Sequence, residues 1–189
     1  LSVLLYNLKS LFRKLLSDRI YFTSITSQYV KELGPNTGYA DPIIFENMVR
    51  AHNEAMLVEG KFERDGVLCN HPNYDFYILT IIYEILLKQD TITVLDIGGG
   101  MASKYYQNQR YLASIENLNW VVIEQKHIVE YCNKNISSKN LNFQEFDKIS
   151  SDKIYADVVI ISSAMQYFNE PYEMLNKLLS VGAKKVIIE

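Results

Sequence analysis

Apolar residues recur along the chain in two different rhythms, and the change between them divides the sequence. Up to about residue 90 they recur mostly every three or four positions, as on one face of a helix. From residue 92 onward they come as short runs, most of them β-branched, separated by helical or loop segments. We therefore predict an N-terminal cap segment, helical and irregular, over residues 1–73 and a core over residues 74–189.

Three helices are predicted before the rhythm changes. The first covers residues 1–20, and its apolar stripe consists of Leu4, Leu8, Leu11, Phe12, Leu15 and Leu16. Basic residues flank that stripe, so a helix on an anionic membrane surface is one interpretation. A helix that covers apolar protein surface is the favoured one.

The second predicted helix runs from about Pro42 to Glu59, with Gly60 as its stop signal. Its apolar face consists of Ile44, Met48, Ala51, Ala55 and Val58. The third begins near Tyr74 and is apolar nearly all round, which predicts deep packing. The rest of residues 21–75 carries turn residues and is predicted to be irregular.

Five strand-like runs follow: ITVLDIG, NWVVIEQ, NLNFQEFD, ADVVIISS and KKVIIE. Strands that alternate with helices indicate an α/β fold, here a Rossmann-like doubly wound parallel sheet. Ligands of such sheets bind at the carboxyl ends of the strands, which places the ends of the first, second and fourth runs around one crevice. The chain begins without Met and ends on a strand-like run, so we expect a fragment that lacks C-terminal strands.

Composition narrows the class of protein. Nineteen basic residues against 22 acidic ones, a net charge of -3, give no electrostatic reason to expect a nucleic-acid partner. Cys69 and Cys132 lie far apart, without metal-ligand spacing, as free thiols of a reducing compartment do. No apolar run reaches the roughly 18 to 20 residues that span a bilayer, and no signal peptide is recognisable. A cytoplasmic protein is expected.

The chemistry concentrates in VLDIGGGMASKYY, residues 94–106. A dinucleotide-binding turn needs G-x-G-x-x-G, but Ser103 stands where the last glycine is expected, and no Gly-Lys-Ser/Thr of a phosphate loop follows. The carboxylate of Asp96 would repel a nearby pyrophosphate. It suits a cationic ligand, or one that offers hydroxyl and amine donors.

VLDIGGGMA resembles the first motif of class I S-adenosylmethionine-dependent methyltransferases, with Ala102 where the usual third glycine stands. The resemblance implies that Asp96 lies close to the methionine moiety of the cofactor. It also implies that the glycine turn passes beside the amino-acid and ribose portions. The glycines concerned are Gly98, Gly99 and Gly100.

Three later strand ends agree with this resemblance. Glu124 ends the second run, where an acid suits two ribose hydroxyls, as it also does in NAD enzymes. The resemblance further implies that Phe146 and Asp147 meet the adenine and that Gln166 and Tyr167 face the methyl-transfer site, beside Met165. The remaining candidate cofactor contacts are Tyr105, Gln125, Ser162 and Ser163.

The chain is also similar, over residues 36–189, to a set of bacterial methyltransferases that carry LDIGGG, SKYYQN, VIEQ, SSAMQY-like and ERDG segments. Members of that set resemble accessory enzymes of surface-polysaccharide synthesis. The resemblance implies O-methylation of a sugar or surface-glycan precursor, with S-adenosylhomocysteine as product. No metal site is predicted.

Methyl transfer to a hydroxyl gains from a general base. His71 is the candidate that we assign, in the loop NHPN. The alternatives are the acids Glu63 and Asp65 and the side chains His127, Tyr105, Tyr106 and Tyr167. Two other functions stay open. One is a binding or scaffold protein that keeps the fold without turnover, and the other is a nucleotide-dependent oxidoreductase or sugar-nucleotide enzyme.

Overall fold

The computed structural model describes residues 41–151 and 155–189, and the structural statements below refer to those residues. They form six α-helices, seven strands and one 3₁₀ turn, Met165–Tyr167. In chain order the helices and strands are α1 (Pro42–Leu57), β1 (Phe62–Arg64), β2 (Val67–Cys69), α2 (Phe76–Leu86), β3 (Ile92–Ile97), α3 (Ser103–Leu112), β4 (Leu118–Glu124), α4 (Lys126–Asn135), β5 (Leu141–Glu145), α5 (Lys148–Ser151), β6 (Val158–Ile161), α6 (Pro171–Ser180) and β7 (Lys185–Ile188).

The five predicted strands form one parallel sheet in the order β5-β4-β3-β6-β7. This confirms the Rossmann-like α/β class. Strand order reverses between β3 and β6, and in such sheets that reversal opens a crevice at the carboxyl ends of the strands. The crevice is therefore expected above Ile97 and Ile161.

Both faces of the sheet are buried, because successive side chains of a strand point to opposite faces. On β3, Val94 packs in the core that α2, α3 and α4 help to form, while Leu95 packs in the core that includes α6. β4 does the same with Trp120 and Val121. Such burial on both sides explains the unbroken apolar runs in the sequence.

Helix α1 begins where its sequence predicts. Asp41 caps it by accepting a hydrogen bond from the Ile43 N–H at 2.9 Å, and Pro42 stands in the first turn, where its missing N–H costs nothing. The buried face includes Met48, Ala51 and Ala55. The ends of the predicted apolar face, Ile44 and Val58, are exposed instead.

The segment predicted to be irregular contains a β-hairpin, which corrects that prediction. β1 pairs antiparallel with β2, with Arg64 opposite Val67. The two residues between them, Asp65 and Gly66, both have positive φ, 51° and 76°. Two consecutive residues of positive φ make a type I′ turn, for which Asp-Gly is a preferred pair. The dipeptide was therefore a hairpin signal in the sequence.

The third predicted helix, apolar nearly all round, is less deeply packed than we predict from its composition. α2 buries one face, with Ile78, Ile82 and Ile85 in the core, while Phe76 and Tyr77 are 59% and 66% exposed. A helix that lies on one face of a sheet keeps a solvent side whatever its composition.

The described residues, 41–151 and 155–189, belong to one compact unit, so α1 and the hairpin belong with the sheet. The predicted helix of residues 1–20 and its membrane contact lie outside the described residues, and the boundary at residue 73 stays a prediction. Over residues 41–151 and 155–189, no helix combines the length and the hydropathy that crossing a membrane requires.

Candidate functional site

A cavity of about 380 Å³ opens at the carboxyl ends of β3, β4 and β6. Its volume lies in the range of small-molecule and cofactor sites. Most of the residues assigned to a site from the sequence line it: Asp96, Gly98, Gly99, Gly100, Glu124, Gln125, Phe146, Ser162, Ser163 and Tyr167.

The glycine turn after β3 forms the floor of this cavity, and its glycines are required sterically. A Cβ on Gly98 would lie 2.8 Å from the Cβ of Ala164, and one on Gly99 would lie 2.6 Å from Oδ2 of Asp96. Gly98 also has a φ of +71°, which an L side chain rarely adopts. The backbone of the turn therefore packs directly against Ala164 and Asp96, with no room for a side chain between them.

Ala102, at the usual third glycine position of the resembled motif, has a φ of +65°. That left-handed conformation suits glycine and strains alanine. Ala102 is fully buried and directly precedes α3. The departure from glycine therefore retains the left-handed turn and adds a methyl group to the core.

Asp96 is the most deeply buried acid of the site, at 1% exposure. Its Oδ2 accepts a hydrogen bond of 3.2 Å from Nε1 of Trp120. Burial raises the pKa of Asp96 to about 6, and the positive charge of Lys104 opposes that rise. A cation that binds beside Asp96 would favour its ionised form.

Glu124, at the end of β4, is buried as well and is fixed by two backbone donors. Its Oε1 accepts from the Gly100 N–H at 3.2 Å, and its Oε2 accepts from the Gln125 N–H at 2.8 Å. Burial raises the pKa of Glu124, and both hydrogen bonds oppose the rise. Each oxygen can accept one further hydrogen bond, such as one from a ribose hydroxyl.

Three N–H groups of the glycine turn are bonded within the protein. Besides the Gly100 N–H, which Glu124 accepts, the Gly98 N–H donates to the carbonyl of Ile123 and the Ala102 N–H to that of Gly99, at 2.9 and 3.0 Å. A phosphate cradle needs such N–H groups to point at the ligand. The N–H groups of Gly98, Gly100 and Ala102 bond to the protein itself instead.

The opposite wall of the cavity comes from the β1–β2 hairpin, through Glu63, Arg64 and Asp65. The carboxylate of Glu63 accepts from the Gly66 N–H at 2.8 Å and from the Ser103 hydroxyl at 2.6 Å. Burial raises the pKa of Glu63, and these two donors oppose the rise. With both oxygens engaged, Glu63 is not placed as a free general base.

Sequence reasoning missed several lining residues: Met48, Asn73, Ser103, Lys104, Gln107, Ala164 and Phe168. Ser103 and Gln107 are four residues apart on α3 and so share a face, which was the available signal. Gln107 accepts from the Asn73 N–H at 2.7 Å and donates to the Glu63 carbonyl at 3.2 Å. No local sequence pattern predicts that Gln107 bonds to the backbone of Asn73 and Glu63.

Lys104 is held at the cavity by two carboxylates. Its Nζ lies 3.0 Å from Oδ2 of Asp75 and 3.0 Å from Oε2 of Glu189. Burial lowers the pKa of Lys104, but the two carboxylates outweigh it, so the pKa is raised. Lys104 therefore stays cationic, with its charge matched by its own partners.

The ends of β5 and β6 supply an aromatic side to the cavity. Phe146 and Phe168 pack edge to face, with ring centroids 5.3 Å apart. Ser163 has a φ of +52°, and its N–H donates to the carbonyl of Glu189 at 3.0 Å. Tyr167 lines the same cavity and is 62% exposed.

Four assigned residues lie outside the set that lines the cavity. His71 and Asp147 are exposed. Gln166 is exposed, and its side chain donates to the carbonyl of Ser163 at 2.6 Å. Tyr105 packs edge to face on Tyr106 and Trp120 at the margin of the core. The functions assigned to them stay predictions.

Comparison with known proteins yields matches among solved structures alone. No protein-family model matches the chain, and no curated protein does. The plantazolicin methyltransferase BpumL, solved with SAH, is 20% identical over 77% of this chain and 51% of its own, with a TM-score of 0.47. Human N-acetylserotonin methyltransferase, solved with SAM, is 16% identical over 82% and 41%, with a TM-score of 0.46.

The [4+2]-cyclase SpnF is 14% identical over 86% of this chain and 58% of its own, with a TM-score of 0.43. This chain thus spans about half the length of the structures it matches. Likenesses this distant carry no argument about activity, and a cyclase stands among them beside the methyltransferases. The functional argument therefore rests on the cavity.

Proposed function

We propose that this protein is an S-adenosylmethionine-dependent methyltransferase that methylates a hydroxyl group of a sugar or surface-glycan precursor. The observation that carries the proposal is the buried carboxylate of Asp96 under a glycine turn in which the N–H groups of Gly98, Gly100 and Ala102 bond to the protein. Such a site favours a nucleoside with a cationic substituent and disfavours a phosphate.

The charges that line the cavity fit this ligand. Four acidic residues line the cavity: Glu63, Asp65, Asp96 and Glu124. Only two cationic residues do so, Arg64 and Lys104, and Lys104 is already paired with Asp75 and Glu189. S-adenosylmethionine carries a sulfonium and an ammonium group, which an acidic cavity stabilises. Gly98 and Gly99 have no room for a side chain. Only backbone atoms of these two residues therefore lie beside such a ligand.

The residues fit the parts of the cofactor in a consistent way. We assign the ammonium group to Asp96, the ribose hydroxyls to Glu124 and the adenine ring to the side of the cavity that Phe146 forms. When bound, the cofactor supplies a methyl group on a sulfonium, which is open to direct displacement by a nucleophile. The residues of this chain then contribute mainly by aligning the acceptor with that methyl group.

The acceptor side is polar with one exposed aromatic ring. Asp65, Asn73, Ser163 and Tyr167 line the cavity and offer carboxylate, amide and hydroxyl groups beside the phenol ring. Such side chains can hydrogen-bond the several hydroxyls of a sugar. Of the candidate bases, Glu63, Asp65 and Tyr167 line the cavity, whereas His71 does not.

Calorimetric titration with S-adenosylmethionine and S-adenosylhomocysteine tests the cofactor assignment. We expect both to bind in the micromolar range, as is ordinary for enzyme ligands. NAD binding without binding of either would contradict it. Transfer of a radiolabelled methyl group to a panel of nucleotide sugars and glycan-precursor extracts then tests the acceptor class.

A binding or scaffold protein of the same fold is the alternative from another class. It would bind S-adenosylhomocysteine yet transfer no methyl group to any extract. The open cavity, with its buried acids and lining hydroxyls, favours an enzyme over that alternative.

A further inference from the structure

Glu63 brings a carboxylate into the cavity from outside the five-stranded sheet. It lies on the β1–β2 hairpin, is 5% exposed and lines the cavity. Its two carboxylate oxygens accept from the Gly66 N–H and the Ser103 hydroxyl. Because Ser103 is the first residue of α3, the carboxylate lies beside the amino end of the helix that follows the glycine turn.

That position has a known use in related sheets. In dinucleotide-binding folds the pyrophosphate lies at the amino end of the helix after the first glycine turn, where helix dipole and free N–H groups favour an anion. Here the carboxylate of Glu63 lies at that place and accepts from the Ser103 hydroxyl. A phosphate at the same place would lose the hydroxyl of Ser103 as a donor and would face a like charge.

We propose that Glu63 is a specificity-determining residue that excludes nucleoside phosphates from this cavity and so restricts it to ligands without phosphate near the nucleoside. The inference rests on the proposed cofactor, whose nucleoside carries a sulfonium and no phosphate. Glu124 acts in the same direction, because it accepts the Gly100 N–H that a phosphate would otherwise use. Asp96 adds a third carboxylate to the lining of the cavity.

The remaining charges around Glu63 do not cancel its effect. Arg64, on the same hairpin, lies 3.7 Å from Asp65, measured from Nε to Oδ2, and both side chains are more than half exposed. Lys104, next to Ser103 on α3, is paired with Asp75 and Glu189. Neither cation has a hydrogen bond to the Glu63 carboxylate among the described contacts.

Calorimetric titration of the whole chain with adenosine and ADP tests the proposal. We expect the wild type to bind adenosine at least as tightly as ADP, which reverses the order found in phosphate-binding sites. Glu63→Gln keeps the side-chain size and removes the charge. It is expected to tighten ADP binding roughly tenfold and to change adenosine binding less than about threefold.

Glu116→Gln is the matched control, because it removes one exposed charge before β4, at the opposite end of the sheet. Wild type that binds ADP more tightly than adenosine overturns the proposal, and so does a folded Glu63→Gln variant with unchanged ADP affinity. If that variant does not fold, the wild-type order decides alone. Failure of S-adenosylhomocysteine to bind, with adenosine still preferred over ADP, overturns the proposed function and leaves the exclusion of phosphate standing.

Discussion

The indole of Trp120 donates a hydrogen bond to the carboxylate of Asp96, with 3.2 Å between Nε1 and Oδ2. The two residues lie on neighbouring strands, β4 and β3, and both are almost completely buried. One donor does not compensate for the burial, so the pKa of Asp96 stays raised, at about 6. A buried acid with a perturbed pKa in a cavity is typical of a functional group.

Replacing Asp96 with Asn should separate binding from stability. The Asn carbonyl can still accept from Trp120, while the buried charge and its attraction for an ammonium group are lost. We expect S-adenosylhomocysteine affinity to fall about tenfold or more, because a hydrogen bond to a charged group contributes about 1.5–3 kcal/mol. The melting temperature at about pH 8 should not fall, because the buried charge is removed. Asp90→Asn, exposed and remote from the cavity, should change neither quantity.

The affinity for S-adenosylhomocysteine should depend on pH through Asp96. Its native pKa is about 6, so the carboxylate is protonated below that pH and ionised above it. Affinity should therefore rise as the pH rises from about 5 to 7 and then level off. Calorimetry across that range checks this. A flat profile in the wild type, or the same rise in Asp96→Asn, would assign the effect to another group.

The same raised pKa has a consequence for stability without ligand. A carboxyl group whose native pKa lies above its unfolded value holds its proton more tightly when folded. Its contribution to stability is therefore full below about pH 4 and declines as the pH rises through about 6. Denaturant titrations should show that the difference between wild type and Asp96→Asn grows over this window in favour of the variant.

Lys104, on α3, should lower the pKa of Asp96. Its positive charge holds the pKa of Asp96 below the value that burial alone would produce. Lys104→Met should therefore move the rise in S-adenosylhomocysteine affinity to higher pH. The variant also leaves Asp75 and Glu189 without this partner, so a lower melting temperature is expected. Lys88→Met, an exposed position just after α2, should shift neither the pH profile nor the affinity.

Gly98 should tolerate alanine less well than Gly182 does. Both have positive φ, 71° and 75°, so strain in the backbone is shared and costs about 1 kcal/mol. A Cβ on Gly182 meets nothing within 4 Å, whereas one on Gly98 would lie 2.8 Å from the Cβ of Ala164. Gly98→Ala should therefore cost roughly 2 kcal/mol more in free energy of unfolding.

A double variant isolates that contact. Removing the Cβ of Ala164, as Ala164→Gly, should restore part of the stability that Gly98→Ala loses and none of what Gly182→Ala loses. Urea titration of the wild type, the three single variants and the two double variants measures the coupling. Additive effects at 98 and 164 would mean that the turn moves away from the β6 end at no cost.

The strands and most of the residues that line the cavity could be predicted from the sequence. β-branched runs and their spacing locate the five strands, and in a parallel sheet their carboxyl ends meet at one edge. Asp96, Glu124 and Ser162 each lie at such an end, so each was found. The direction of a side chain in a loop is less predictable, and Gln166 instead bonds to the backbone of Ser163.

The sequence by itself determined the sheet, its class and the acidic glycine turn, because hydrophobic period and turn chemistry act over a few residues. Only the tertiary structure decided which distant groups meet at the turn. Ser103 bonds to Glu63 across 40 residues, and Asp96 to Trp120 across 24. Such pairs depend on how separate segments of the chain pack. Burial then raises the pKa values of Glu63 and Asp96, because a carboxylate that is removed from water loses its solvation.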